Sequence, residues 1–274
     1  MNGHTDRIGK VINLHYTERC NYRCRFCHSR FGKTPLGLED WKKIIGNILH
    51  DVTVPRFNLA GGEPLAAPYV QELVDFIHEL GIDVSIITNG SYLTPEWIRS
   101  NREKISMIGI SVDALSHEQN ILLGRVNEKK ESLSAERLSE LASEIHRAGM
   151  KLKINTVVNS VNCSLDFTDL IRDLAPERWK LLRMIQIDGV NDGGKSLLVS
   201  DREFSDFVAR HASLSPVVED TDDIVNAYIV VNPFGELINN SGHHYTTTES
   251  LLDHGFLEEF SKIPFREDAY RKRY

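Results

Sequence analysis

Three cysteines stand close together in the run Cys20-Asn21-Tyr22-Arg23-Cys24-Arg25-Phe26-Cys27. In a reducing compartment such a cluster of thiols points to metal ligation and away from a disulfide framework. A cubane iron–sulfur cluster takes four ligands, so three cysteines would leave one iron open to an exogenous ligand. The competing readings are three unlinked buried thiols, or a zinc site completed by His28; zinc loops usually present CxxC pairs, and this spacing is CxxxCxxC. Cys163 is distant and isolated, and reads as a small buried hydrophobe.

Other residues in the chain could serve such a centre. Gly61-Gly62-Glu63-Pro64 combines glycines that permit close backbone approach with carbonyls and a carboxylate able to accept from an ammonium group. Thr88-Asn89-Gly90 and Ser111 offer small polar side chains, although Asn-Gly is also a common turn pair. A set of cations is dispersed along the chain: Arg56, Arg125, Lys129, Lys130, Lys153, Arg178 and Lys180. Singly each reads equally well as a surface or snorkelling residue. Aimed together into one interior they would need a polyanion to neutralise them, and a triphosphate fits.

The elements that must position these groups follow a repeated βα pattern. Strands are expected over 11–16, 56–60, 82–88, 106–112, 151–158 and 179–187. The first helix carries Trp41, Ile44, Ile45, Ile48 and Leu49 at helical spacing, its start marked by Thr34 and Pro35. In the second, Val70, Leu73, Val74, Ile77 and Leu80 share a face and Gly81 closes the helix. Thr94 and Pro95 open a third, and further helices are expected over 135–148 and 165–174. The fold expected is therefore α/β, a partial (β/α)6 TIM-like barrel over 11–200 with its active face at the C-terminal ends of the strands. A short tail, 1–10, precedes it. A C-terminal extension over 201–274, with a helix near 202–212 and strands at 227–232 and 236–239, is expected to close the substrate side. Lys153 and Asn155 lie two apart on one strand and share a face, as do Arg178 and Lys180.

Composition narrows the function classes. At 274 residues with 41% hydrophobic and 26% charged residues, the chain suits one globular domain without biased tracts. A net charge of −7 argues against a general nucleic-acid binder. No stretch approaches the length of a membrane span, and residues 1–10 lack the apolar core of a signal peptide, so a cytoplasmic protein is expected.

The cysteine loop after the first strand, with an aromatic before its last cysteine and GGEP after the second strand, resembles the radical S-adenosylmethionine (SAM) superfamily. The resemblance implies a 4Fe-4S cluster on Cys20, Cys24 and Cys27, and SAM held by Phe26, Gly61, Gly62, Glu63, Asn89 and Ser111. Within that superfamily the chain is similar to the viperin family, especially its short prokaryotic members. The likeness is carried by Asn13-Leu14-His15-Tyr16-Thr17, Asn58-Leu59-Ala60, Asn120-Ile121-Leu122-Leu123-Gly124-Arg125, Lys153-Ile154-Asn155-Thr156-Val157-Val158-Asn159 and Arg178-Trp179-Lys180. It implies an antiviral lyase that dehydrates a nucleoside triphosphate to a 3′-deoxy-3′,4′-didehydro product. Arg56, Arg125, Lys153, Arg178 and Lys180 would grip phosphates, and Asn13, Asn58, Asn155 and Tyr228 would line the ribose and base. An electron donor such as flavodoxin or ferredoxin, a monomeric state and no membrane association are implied as well; no proton donor is named. Two positions depart from the family pattern, Arg56 where it has lysine and Ala60 where it has serine. The alternatives to this reading are another radical SAM activity, peptide-modifying or cofactor-maturing, and a non-catalytic cluster protein acting as a sensor.

Overall fold

The structure, a computed structural model, describes residues 9–29, 35–242 and 244–271. Seven parallel strands run in chain order: β1 (Ile12–Thr17), β2 (Arg56–Gly61), β3 (Asp83–Thr88), β4 (Ile105–Ser111), β5 (Lys151–Val158), β6 (Arg178–Arg183) and β7 (Val217–Glu219). Helices α1 (Leu38–Asp51), α2 (Val70–Glu79), α3 (Pro95–Ser100), α4 (His117–Leu123), α5 (Ala135–Arg147), α6 (Thr168–Leu174) and α7 (Asp201–Arg210) lie in the connections between them. Crossovers of this kind place the C-terminal ends of all parallel strands on one rim, where the connecting loops can build a site.

The segment after residue 210 joins the same sheet. Past β7 and the short α8 (Thr221–Ile224), strand β8 (Ile229–Val231) pairs parallel with β1, and β9 (Glu236–Asn239) and β10 (Thr246–Ser250) continue as an antiparallel ladder. The order is β10-β9-β8-β1-β2-β3-β4-β5-β6-β7, an open ten-stranded sheet. Helices α9 (Phe256–Phe260) and α10 (Glu267–Arg271) finish the described chain. Tyr270 of α10 accepts the Val11 N–H at 2.6 Å, which ties the end of the chain to the start of β1.

Local chemistry accounts for where elements begin and end. Thr94 accepts the Trp97 N–H at 3.1 Å with Pro95 at the first helical position, as expected. Thr34, expected to mark the first helix, lies outside the described residues; α1 begins at Leu38, where the Asp40 carboxylate accepts the Gly37 N–H at 3.1 Å. Strand β6 stops at Arg183, short of the expected 187. Asn191 folds that stretch back, accepting from Ile187 N–H at 2.8 Å and donating to Ile185 O at 2.9 Å.

The main core lies between the sheet and its helices, with Trp41, Ile44, Ile45 and Ile48 of α1 fully buried against it. Phe167, Trp179, Phe207 and His211 form an aromatic group where α6, α7 and β6 meet. His211 Nε2 accepts the Phe167 N–H at 2.9 Å, which satisfies a buried donor at the start of α6. A smaller core of Phe26, Ala114, Leu123, Met184 and Leu197 packs beneath the cysteine loop. Truncating Phe207 to alanine removes fully buried aromatic surface and is expected to cost about 3–5 kcal/mol. Urea denaturation checks this: the midpoint falls while the slope is unchanged.

Candidate active site

The loop leaving β1 carries the three cysteines over a cavity of about 700 Å³ at the C-terminal rim. A cavity of this size falls in the range of small-molecule sites. Two neighbouring segments fix the loop by backbone contact. On one side Gly62 N–H donates to Thr17 O and Glu63 N–H to Arg19 O, both at 2.7 Å. A Cβ on Gly62 would lie 2.3 Å from Arg19 O. On the other side Arg23 N–H donates to Gly124 O at 3.1 Å and Arg25 N–H to Leu123 O at 2.9 Å, at the C-terminus of α4. Gly124 has φ +73°, and a Cβ there would stand 2.3 Å from Arg23 O. No other residue fits either approach, since the obstructing atoms are backbone.

The thiols face a demanding environment. Burial pushes the Cys20 thiol up and the Cys24 thiol to about 12. Thiolates there need positive charge, which ligated iron would supply. The donor set therefore fits a cluster: three sulfurs are held by one short loop that shares a cavity with small polar groups. Cys163 is half-buried against the main core, remote from this loop, with its sulfur 3.8 Å from Ser160 O.

Glu63 is fully buried, and its carboxylate takes three protein donors: Thr88 Oγ1 at 2.6 Å, Asn89 N–H at 2.7 Å and Leu65 N–H at 3.2 Å. Burial raises its pKa to about 7 against these hydrogen bonds. It does not line the cavity; Gly61, Gly62, Asn89 and Ser111 do. Asn89 Nδ2 donates to Asn21 Oδ1 at 3.0 Å and lies 3.9 Å from Cys20 Sγ, so the end of β3 touches the cysteine loop.

The predicted cations divide into distinct groups. Lys153 and Lys180 line the cavity, as does Arg125. Arg125 is buried and pairs with Asp113 Oδ2 at 2.7 Å while donating to Ser111 O at 2.7 Å. Lys180 donates to Glu219 at 2.5 Å and to the Tyr228 hydroxyl at 2.6 Å, and Tyr228 in turn donates to Glu219. Among the described residues Lys153 has no carboxylate within ion-pair distance. Burial, reinforced by Lys180 and Arg178, lowers its pKa to about 7. Arg56 and Arg178 open β2 and β6, at the strand ends away from the cysteine loop, and do not line the cavity. Arg56 pairs with Asp83 at 2.5 Å. Lys129 and Lys130 are exposed turn residues.

The amide residues form a chain across the sheet. Asn13, Asn58 and Ser85 sit side by side on β1, β2 and β3. Ser85 Oγ donates to Asn58 Oδ1 and Asn58 Nδ2 to Asn13 Oδ1, each at 2.8 Å, and Asn13 Nδ2 donates to Ile229 O at 3.0 Å. Asn155 is 8% exposed, and its Oδ1 has no hydrogen-bond partner among the described residues, so an acceptor waits in the cavity.

Residues 14–193 match the model of the radical SAM superfamily. Over 96% of its length the chain is 31% identical to an S-adenosylmethionine-dependent nucleotide dehydratase of Flammeovirga pacifica, covering 93% of that protein. A protein of the same name from Selenomonas ruminantium is 35% identical, with 96% and 98% of the two chains covered. The chain belongs to the S-adenosylmethionine-dependent nucleotide dehydratase family. Its fold is similar to that of Streptococcus suis SuiB bound to S-adenosylmethionine, with a TM-score of 0.71 at 16% identity over 96% of this chain and 67% of that one. Native anSMEcpe with bound AdoMet gives 0.69 at 13% identity over 96% and 82%. SAM and a 4Fe-4S cluster are thus the cofactors of this nucleotide dehydratase family member.

Several site residues escape sequence reasoning. His15 lines the cavity two positions from Asn13 on β1, so strand alternation could have exposed it. Burial and the neighbouring His28 lower its pKa to about 3, and Ser29 Oγ lies 3.2 Å from its Nδ1. Glu219 and Asp113 carry no local signal; each is recognisable only from the cation it faces.

Two outcomes follow for this family member. Gly124→Ala should leave the fold intact but lower the iron bound per chain after anaerobic reconstitution to well below the wild-type content, read by iron assay. Lys153→Met should stabilise the protein. A lysine at about 7 in the fold and 10.5 when unfolded weakens the native state as pH falls below 10.5, and the penalty is complete below about 7. The variant's gain in melting temperature should therefore be largest at pH 7 and below and fade towards pH 10, as followed by thermal denaturation of the cluster-free protein.

Proposed function

We propose that the protein dehydrates a nucleoside triphosphate to its 3′-deoxy-3′,4′-didehydro form, an antiviral chain terminator. The observation that carries this reading is Lys153, a lysine without an acidic partner among the described residues, sharing one cavity with three thiols. Glu219, already paired with Lys180, offsets the Lys153 charge only in part, and a polyanionic ligand would supply the rest.

In this reading Cys20, Cys24 and Cys27 hold the cluster, and Phe26, Gly61, Gly62, Asn89 and Ser111 shape the SAM site. When bound, cluster and SAM together supply a 5′-deoxyadenosyl radical. Glu63 acts from behind, fixing the Asn89 backbone and the turn after Gly62. Lys153 attracts the triphosphate, with Lys180, already balanced by Glu219, beside it and Arg125 beside the cysteine loop, while Arg56, spent on Asp83, and Arg178 lie outside the cavity. Asn13 and Asn58 form a rigid wall because their amides are already hydrogen-bonded to each other, whereas Asn155 Oδ1 and Tyr228 are placed to meet the ribose or base. Anchoring both ends of the nucleotide presents C4′ in one orientation, and orientation is what makes hydrogen abstraction selective. Net dehydration then removes the C4′ hydrogen and the 3′ hydroxyl, the latter leaving as water with one proton and one electron supplied. The electron donor is a flavodoxin or ferredoxin, and the protein works as a cytoplasmic monomer. No helix among the described residues is long and apolar enough to cross a membrane.

Anaerobic incubation of the reconstituted protein with SAM, dithionite and each of CTP, UTP, GTP and ATP tests the reading by mass spectrometry. One nucleotide should raise 5′-deoxyadenosine formation and appear lighter by one water. If none does, the nucleotide reading fails. Lys153→Ala should raise the KM for that nucleotide by about tenfold or more, in the range for losing a buried charge contact, with the visible spectrum of the cluster unchanged.

A further inference from the structure

The cysteine loop has an outer face that the chemistry in the cavity does not use. Arg19, Arg23 and Arg25 are all exposed, three cations within seven residues of a chain whose net charge is −7; Arg19 and Arg23 stand at the mouth of the cavity, and Arg25 alone lies wholly outside it. Among the described residues none of the three is ion-paired with a carboxylate. Arg25 is instead held by oxygens of two neighbouring segments: Nη1 donates to Leu122 O at 3.3 Å, and Nη2 to Ser196 Oγ at 2.8 Å and Gly193 O at 3.2 Å. Arg23 donates to Cys20 O at 2.5 Å and Tyr22 O at 2.9 Å. These contacts hold the guanidiniums against the loop and leave their charge uncompensated.

Beside them the C-terminal turn of α4 presents apolar surface to solvent. Ile121 is 44% exposed and Leu122 57%, while the next residue, Leu123, turns inward to the small core that packs against Cys24. Lys195, exposed on the 3-10 helix Asp192–Leu197 that Arg25 bonds to, adds another cation to the rim, while the carboxylate of Asp192 at the start of that helix is turned to the Gly189 N–H at 3.1 Å. An apolar centre with a basic rim therefore sits directly outside the cluster-bearing loop. Adjacent exposed apolar side chains with arginine at their edge have the make-up of a small interface, an apolar centre within a polar rim.

We infer that this patch is where an acidic, low-potential one-electron carrier protein docks to reduce the cluster. Each encounter moves a single electron from the carrier's flavin or iron–sulfur centre to the cluster; the carrier is oxidised by one electron and no bond is made. Because two similarly acidic proteins repel overall, a local basic patch is needed both to steer the encounter and to fix which face meets the carrier. Arg25 lies between Cys24 and Cys27 in sequence, so docking here sets the carrier against the loop that would hold the cluster. The small apolar centre suits a transient contact, since electron-transfer complexes fall at the low end of interface sizes. The inference rests on the cluster alone and is independent of which nucleotide, if any, is the substrate.

The test uses the full-length protein with cluster and SAM, and a purified bacterial flavodoxin as the probe. Stopped-flow absorbance under anaerobic conditions follows oxidation of flavodoxin hydroquinone, and fluorescence anisotropy of a dye-labelled flavodoxin follows binding. Arg25→Glu and Leu122→Asp should each slow electron transfer and weaken binding by about fivefold or more, and the wild-type rate should fall steeply with ionic strength. Arg202→Glu on α7, whose side chain is 91% exposed, should change neither. Iron content and dithionite-driven 5′-deoxyadenosine formation separate docking from cluster damage. Leu122→Asp touches no cysteine contact, so it decides the matter even if Arg25→Glu loses iron. Unchanged binding and electron transfer in Leu122→Asp with a full cluster would overturn the inference, as would a wild-type rate insensitive to salt. It would also be overturned if these variants raised the KM for SAM or nucleotide under dithionite while leaving flavodoxin binding intact, because the patch would then serve the cavity.

Discussion

The site depends on how closely other backbone segments approach the cysteine loop. Carbonyls of Arg19 and Arg23 meet Gly62 and Gly124 at positions where a Cβ would stand 2.3 Å away, and Arg25 O meets Gly194 in the same manner at 2.6 Å. Glycines from the end of β2, the end of α4 and the 3-10 helix before α7 thus clamp one short loop from separate directions. The thiols have no ladder of their own to hold them. Their convergence is inherited from elements far away in sequence, and the Glu63 carboxylate, bonded to Thr88 and Asn89, locks one jaw of the clamp to the end of β3.

Below that clamp the cations of the cavity differ in how far their charge is balanced. Arg125 and Lys180 are buried with Asp113 and Glu219, so their charge is largely balanced before any ligand arrives. Lys153 is the exception: burial first, and then the nearby Lys180, Arg178 and Arg56, depress its pKa. An anionic ligand would offset this and raise the lysine's proton affinity. In the proposed reading, binding and protonation would therefore be linked at this residue.

Much of this was legible in the amino-acid sequence, for reasons that differ by element. Strand β5 (Lys151–Val158) and helix α5 (Ala135–Arg147) carry strong alternation and strong helical period, so their limits follow from local pattern. The three-residue strands β7 and β8 and the polar β10 exist only because neighbouring strands pair with them, and β7 and β10 leave no local trace. The same distinction governs the site. Cys20, Cys24 and Cys27 declare themselves by spacing, and Lys153 and Asn155 by sharing a strand face. That Arg56 is spent on Asp83, that Glu63 faces protein donors, and that Gly124 supports the cysteine loop all rest on contacts between distant segments.

In the proposed reading, function turns on bringing the nucleotide's C4′ to the carbon of the deoxyadenosyl group. A nucleoside triphosphate deuterated only at C4′, turned over anaerobically with SAM, reports this directly in the mass of the 5′-deoxyadenosine formed. One deuterium gained per deoxyadenosine is the result predicted. Unlabelled 5′-deoxyadenosine alongside a dehydrated nucleotide would mean that hydrogen is taken from another position, and would contradict the placement of C4′ against the deoxyadenosyl carbon.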